Sequence, residues 1–284
     1  MTPRPRLVAI SRNPAYSPLQ HGENDREILG AAVAELVALG WSVRRLDEHA
    51  AATGPLPPAD LYLNMCQGPA ASEALLEHEA LGARFFNRPS SVLGCHRHRL
   101  VPALAGSGIA FPRTVLVSTD PPLPPAAREA LLCLGPGPLW LKRGGVHAER
   151  PEDVVRVEPR ELAGALAGFA ARGIPLAAVQ EHVPGPVVKF YGVARGALFH
   201  AYLADGGAPI PCGLVDHDAL RALACCAAAR LRLDIFGGDI VLAAPDRPVL
   251  IDLNDWPSFA PIRRLAARAI ARHVHAARPR RALR

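Results

Sequence analysis

The residues best spaced for chemistry lie near the carboxyl end, between Phe236 and Phe259. Apolar runs on either side of Pro245, Asp246, Arg247 and Pro248 read as two strands joined by a tight turn. With the turn centred between Pro245 and Asp246, positions whose numbers sum to 491 face each other, which sets Asp239 opposite Asp252. Asn254 lies two residues further along and shares that face. Like charges paired across a ladder repel. A hard divalent cation held by a few protein oxygens, with water and phosphate completing its shell, removes the conflict. Taken alone, the same pair also reads as solvated residues on an exposed hairpin.

The basic residues sharpen the choice. Of 32 Lys and Arg, only Lys142 and Lys189 are lysine. Lys142 ends an apolar run and precedes Gly144 and Gly145, where a backbone can approach a ligand and a cation can reach a phosphate. Lys189 sits inside VVKFYGV, where an ammonium among apolar neighbours is poorly explained as surface decoration. In a chain that otherwise uses arginine, both positions suit a compact point charge rather than a planar fork. Arg12 and Asn13 after the first strand, and Ser258, Arg263 and Arg264 after the acidic motif, are candidates for gripping a substrate carboxylate or phosphate, with a solvated role as the alternative. His147, His182, His200 and His217 are candidate bases near neutral pH, or structural imidazoles. Trp256 reads as a packing residue.

Composition narrows the class. Half the residues are apolar and a fifth charged, as in a globular chain with a substantial core. Six scattered cysteines without CxxC pairs read as reduced thiols. The net charge is +6, but Arg278, Arg280, Arg281 and Arg284 supply four of those charges, which argues against a nucleic-acid footprint. No apolar run approaches the roughly 18 to 20 residues of a membrane span. The segment Met1 to Arg12 lacks an export signal, and the expectation is a soluble cytoplasmic protein.

Strands and helices alternate over residues 1 to about 90: strands at Leu7–Ser11, Trp41–Leu46, Leu61–Met65 and Arg84–Phe86, with helices at Asp25–Leu39 and Ser72–Leu81. That pattern implies a parallel α/β sheet with ligands near its carboxyl ends, where Arg12, Asn13, Cys66 and Gln67 fall. A helix at His96–Ala105 and a strand at Thr114–Val117 follow. Six prolines between residues 118 and 138 mark a connector. Beyond it come strand LWLK, a strand near Val154–Val157, a helix at Pro159–Arg172, and the strands AAVQEHV and VVKFYGV before the acidic hairpin.

In this order, WLKRGG, Gln180 to Val183 (QEHV), VVKFYGV and the terminal Asp239…Asp252-x-Asn254 resemble the ATP-grasp superfamily. The sequence is most similar to ligases of the RimK and glutathione synthase type, and to the inositol tetrakisphosphate kinases, whose metal motif is likewise D…DxN followed by a proline. The stretch FFNRPSSVLGCHRHRLVPALAGSGIAFPRT is similar to the family's junction. The resemblance implies an α/β chain, α+β in its C-terminal part. A preceding α/β domain would cover residues 1–112 and an ATP-grasp domain residues 113–275, in lobes of about 113–182 and 183–275, ahead of a basic tail at 276–284.

The resemblance also implies roles. Lys142 and Arg97 would contact nucleotide phosphates, Arg97 standing where the family has its first lysine and His96 where it has Asp. Gln180, Glu181, His182 and Val183 would form the adenine hinge. Asp239, Asp252 and Asn254 would hold Mg²⁺, or Mn²⁺, and Lys189 would face the transferring phosphoryl group. The ribose-binding carboxylate is absent, since that stretch reads Pro186, Val187, Val188. The expected activity is ATP-dependent joining of a carboxylate to an amine through an acyl phosphate, on a small molecule or peptide. Phosphoryl transfer to a hydroxyl and a non-catalytic nucleotide-binding regulator are the alternatives.

Overall fold

A computed structural model describes residues 4–278 apart from 18–21, 195, 212 and 245–246. The chain opens with β1 (Arg6–Ser11), α1 (Gly22–Ala38), β2 (Ser42–Asp47), α2 (Glu48–Thr53), β3 (Leu61–Asn64), α3 (Pro69–Ala80) and β4 (Phe85–Phe86). These strands form a parallel sheet in the order β2-β1-β3-β4. Leu7, Val8, Ala9 and Ile10 are all buried, as in a strand covered on both faces. The α1 helix lays Ile28, Leu29, Ala32, Val33 and Leu36 on the sheet and gives way at Gly40, which takes a φ of +89°.

Two short helices, α4 (Pro89–Gly94) and α5 (Arg97–Leu104), lead into a second unit: β5 (Thr114–Ser118), α6 (Pro125–Leu132), β6 (Leu139–Arg143), β7 (Val154–Val157), α7 (Leu162–Ala171) and β8 (Leu176–Glu181). Its strands pair antiparallel in the order β5-β8-β6-β7. Leu139, Leu141, Val179, Leu166 and Phe169 share its core. Strand alternation therefore turns Trp140, Lys142 and Gln180 to the opposite face.

The third unit comprises β9 (Val187–Val193), β10 (Leu198–Leu203), α8 (His217–Arg230), β11 (Ile235–Leu242) and β12 (Pro248–Asp255), with antiparallel order β10-β9-β11-β12. Val188, Phe190, Ile240, Leu250 and Leu253 pack against α8, which leaves Lys189, Asp239, Asp252 and Asn254 on the other face. A final helix, α9 (Arg263–Ala276), crosses back to α1. Its Ala266, Ile270 and Val274 belong to the same core as Leu7 and Ile28. Residues 263–276 thus pack with the first sheet, although the sequence groups them with the last lobe. Asn87 fastens the units further: its Oδ1 accepts from the amides of Asp234 and Ile235 (both 2.8 Å) and its Nδ2 donates to the Ile235 carbonyl at 2.6 Å.

The α/β character and the run of strands match the expectation, with several differences. The strand read as AAVQEHV stops at Glu181. Nothing in the sequence pattern marks α2, α4, β10 and α9. Asp239 does face Asp252, but pairs summing to 491 persist only from there inward. Outward, Ile240 pairs with Leu250 and Val241 with Val249, because a bulge skips Ile251. The turn itself closes as expected, with the Arg247 amide on the Ala244 carbonyl (3.0 Å), a pair that again sums to 491; Pro245 and Asp246 lie outside the described residues.

Candidate active site

The second and third sheets enclose a cleft of about 590 Å³, lined by Arg97, Trp140, Lys142 and Gln180–Val183 on one side and by Lys189, Tyr191, Asp239, Asp252, Asn254 and Ser258 on the other. At its centre lies the aspartate pair. The side chains of Asp239 and Asp252 are 24% and 18% exposed, enough to face a ligand in the cleft. Each carboxylate has a cation of its own: Lys189 Nζ lies 3.2 Å from Asp239, and Arg97 Nη2 lies 2.8 Å from Asp252.

The two carboxylates titrate in opposite directions. Burial, joined by the charge of Asp252, raises Asp239 against the pull of Lys189. Burial alone would raise Asp252 too, but Arg97 and Lys142 outweigh it and hold Asp252 below the ordinary carboxylate value. Lys142 is itself pushed down to about 8 by burial, against Asp252. Its Nζ donates to the Ile251 carbonyl at 2.9 Å. The strand bulge therefore aligns Asp239 with Asp252 and also supplies the acceptor for Lys142.

Asn254 sits opposite Gly237 on β11, two residues beyond Asp252, and lines the same wall. Two carboxylates and an amide oxygen on one wall form a set of hard oxygen donors that fits Mg²⁺, and an under-compensated Asp239 is what such an ion would relieve. Among the described residues no cluster of three His, Cys, Asp or Glu side chains could hold a metal. The third protein donor available is thus the amide, with water or phosphate completing the shell.

The hinge is narrower than the sequence suggested. The Glu181 amide donates to the Arg113 carbonyl (3.0 Å) and the His182 amide to the Pro138 carbonyl (3.1 Å), so neither is free for a base. The Gln180 side chain bonds Thr114 Oγ1 at 3.1 Å. Val183 carries the remaining amide, which makes no backbone hydrogen bond among the described residues. The glycine pair also divides in function. Gly144 is locked by its amide to the Leu176 carbonyl (2.9 Å), and a Cβ there would lie 3.0 Å from that same oxygen. Gly145 has open space around it.

The substrate candidates scatter. Arg12 lines the cleft but is already engaged by Asp25 (2.8 Å) and the Trp256 carbonyl (3.0 Å). Asn13 faces a neighbouring hollow with Glu48, and its side chain caps the turn at Ala15. Arg263 turns to Asn24 and Glu27 at 2.5 Å each, away from the cleft. Ser258 remains on the cleft wall. Trp256 is fully buried, as a packing residue. His200 and His217 line a separate depression, whereas His147 and His182 line the cleft.

Two polar features had no clear signature. Glu48 is buried and takes the amides of Asn13 (2.6 Å), Gln67 (3.2 Å) and Gly68 (2.6 Å), tying together the loops at the carboxyl ends of the parallel strands. Burial raises its carboxyl despite those amides. His147 Nε2 meets Asp255 Oδ1 at 3.1 Å in the wall of the cleft. His147 is one of the candidate bases, but Asp255, next to Asn254, carries no signal of its own in the sequence.

No protein-family model and no curated protein matches the sequence. Solved structures do match in shape. The RimK domain ATP-grasp protein of Sphaerobacter thermophilus superposes with a TM-score of 0.67 at 19% identity, covering 95% of this chain and 99% of its own. The ATP complex of D-alanine–D-alanine ligase from Bacillus anthracis gives 0.68 at 13% identity over 97% and 98%. The ATP-grasp ligase PsnB, solved with Mg, ADP and a phosphomimetic variant of its minimal precursor, gives 0.63 at 16% over 96% and 99%. The chain has the ATP-grasp fold. The cleft lies between the two antiparallel sheets, and the parallel sheet precedes both in the chain.

Proposed function

We propose that this chain is an ATP- and Mg²⁺-dependent ligase that activates a carboxylate as its acyl phosphate and passes the acyl group to an amine, on a small-molecule or peptide substrate. The observation that carries the reading is the apposition of Asp239 and Asp252 between three cations, Arg97, Lys142 and Lys189, in a cleft closed by two antiparallel sheets. Phosphoryl transfer asks an enzyme mainly for charge placement, and this wall supplies it. Asp239, Asp252 and Asn254 would hold Mg²⁺, which when bound neutralises phosphate charge.

Lys142 is poised to exchange the Ile251 carbonyl for a phosphate oxygen, and Arg97, whose Nη2 braces Asp252 and whose Nη1 donates to the Arg143 carbonyl (3.1 Å), adds its charge beside the same phosphates. Lys189, with its side chain 46% exposed, points its charge to where the acid is activated. The Val183 amide and the Glu181 carbonyl are the hinge groups left for adenine. Kinase chemistry on a hydroxyl is the second reading, favoured by the shorter Asp252 at a position where most similar ligases carry Glu.

Trapping with hydroxylamine separates the two. Incubation with ATP, Mg²⁺ and a panel of amino acids, small peptides and polyols, with ADP release as the screen, identifies the acceptor. Formation of a hydroxamate marks the ligase; ADP release with no hydroxamate in any mixture sinks it.

A further inference from the structure

One polar pair in the cleft has no part in holding nucleotide or metal. His147, in the loop after β6, reaches β12 and sets Nε2 3.1 Å from Asp255 Oδ1. The Asp255 side chain is sealed from solvent, and its other oxygen, Oδ2, meets no donor among the described residues. Gln67 does not serve it: its Nε2 lies 3.4 Å from Oδ1, not Oδ2, and with the amide turned over its nitrogen meets the Tyr16 carbonyl (3.0 Å) and its oxygen Arg12 Nη2 (3.2 Å). Placing a carboxylate there without full pairing is unfavourable for the fold alone. With Nε2 committed to Asp255, Nδ1 is the ring nitrogen left to accept a proton, the arrangement in which a buried carboxylate fixes the tautomer of a working imidazole.

Elimination within the cleft leads to the same residue. Arg97, Lys142 and Lys189 are donors, Asp239 and Asp252 are the candidate metal ligands, Asp25 and Glu181 are paired with Arg12 and Arg113, and the Tyr191 hydroxyl is bonded to Tyr202. Among the described residues the cleft holds one other imidazole, His182, whose Nδ1 already accepts from Trp140 Nε1 at 3.1 Å. His147 is 12% exposed and faces Asp255 and Asp252 from β12, with His96 and then His98 on its α5 side and Arg12 beyond Asp255. Burial, with His147 beside it, lowers His96 to about 4, so His96 contributes no competing charge at neutral pH.

We propose that His147, oriented by Asp255, is the catalytic base for the second half-reaction; this rests on the ligase reading above. The nitrogen lone pair of the amine forms the C–N bond at the acyl carbon, and the C–O bond to phosphate breaks with its electron pair leaving on inorganic phosphate. The amine arrives as its ammonium: one proton passes to His147 Nδ1 and from there to solvent, freeing the lone pair, and the second N–H proton leaves with the phosphate as the C–N bond forms. His147 is the catalytic residue and Asp255 a positioning residue.

The test compares two nucleophiles on one acyl phosphate. Hydroxylamine is largely unprotonated at neutral pH and needs no base, whereas an amino-acid ammonium must lose a proton. In His147→Gln, hydroxamate formation should fall only a few-fold, while amide formation from amino acids or dipeptides falls about 10²- to 10⁴-fold, in kcat rather than KM. Asp255→Asn keeps the imidazole and should show the same split. In ¹⁵N-histidine spectra the Nε2–H tautomer of His147 in the wild type should give way to Nδ1–H in that variant. Equal loss of both products, retention of both, or an Nδ1–H tautomer in the wild type overturns the proposal. No hydroxamate from the wild type overturns the ligase reading itself, and this proposal with it.

Discussion

Lys142 on the second sheet donates to the carbonyl of Ile251 on the third, and Ile251 is the residue that the β11–β12 ladder skips. The bulge and the lysine are one device. Skipping Ile251 brings Asp252 into line with Asp239 and presents a carbonyl on which a buried ammonium can rest. A hydrogen bond to a charged donor contributes about 1.5–3 kcal/mol. A phosphate would replace that carbonyl without leaving the lysine unpaired. Lys142→Ala should therefore weaken ATP binding roughly 10- to 100-fold, on the scale of about 1.4 kcal/mol per decade. Lys142→Met, which keeps the stem, should do the same. Titration calorimetry giving an unchanged dissociation constant for both variants would remove Lys142 from the nucleotide site.

The two aspartates should separate in their effects on stability. Asp239 is the under-compensated member, so Asp239→Asn relieves repulsion across the ladder and should leave the melting midpoint unchanged or slightly raised. Asp252→Asn instead strips the partner from Arg97, whose side chain is 6% exposed. Leaving a buried charge unpaired costs on the order of 3–5 kcal/mol, and the midpoint should drop by several degrees. Both should lower ATP turnover by about 10²-fold or more, since a metal supplies several kcal/mol of charge stabilisation. A double variant that still turns over ATP at the wild-type rate would refute the metal assignment, and a drop in midpoint for Asp239→Asn alone would refute the charge argument.

How much of this was legible depends on the range of the interaction. The aspartate pair and Asn254 follow from strand alternation and a turn marked by prolines, both local. The bulge does not, because Ile251 is as apolar as Leu250 and Leu253 and nothing nearby signals a skipped residue. The helix α9 escaped because its buried face is built largely of Ala266, Ala267 and Ala271 between arginines, less apolar than the leucines and isoleucine of α1 although well segregated. The His147–Asp255 contact spans 108 positions and belongs to tertiary packing alone. Arg12 and Arg263 misled for the opposite reason. Their types suit an anion, but Asp25, Asn24 and Glu27 already engage them, and those partners become visible only once α1 is folded against the cleft.

Asn87 should behave as a joint between units. It is fully buried, and its side chain serves Asp234 and Ile235 at the start of β11, while its own carbonyl accepts from Asn64 Nδ2 at 3.1 Å. Asn87→Ala strands the amides of Asp234 and Ile235, at about 1–3 kcal/mol for each group left unpaired, while the Ile235 carbonyl keeps the Trp256 amide at 3.3 Å. The chain should melt several degrees lower, and exchange protection should fall first at β11 and β4. Loss of protection confined to β4 would show that the first sheet is not tied to the third through this residue.

The loop that carries His147 is held at its far end by Asp153. That side chain is 1% exposed and accepts from the amides of Glu149 (3.0 Å) and Arg150 (3.2 Å), from Arg172 Nη1 at 2.8 Å and from Arg143 Nη1 at 3.4 Å. Burial alone would raise its carboxyl, but the two amides and the guanidinium groups outweigh it and hold the group below 3.8. A carboxyl lowered by folding favours the ionised native state. Its contribution is thus complete above the unfolded value near 4 and is lost as pH falls through the lower folded value. The difference in stability between wild type and Asp153→Asn should be constant from about pH 5 to 8 and shrink below about pH 4. Urea midpoints across that range give the comparison, and a gap that stays constant to pH 3 would contradict it. At neutral pH, Asp153→Asn should also slow amide formation more than hydroxamate formation, because a loosened loop misplaces His147 while Lys142 stays anchored on β6.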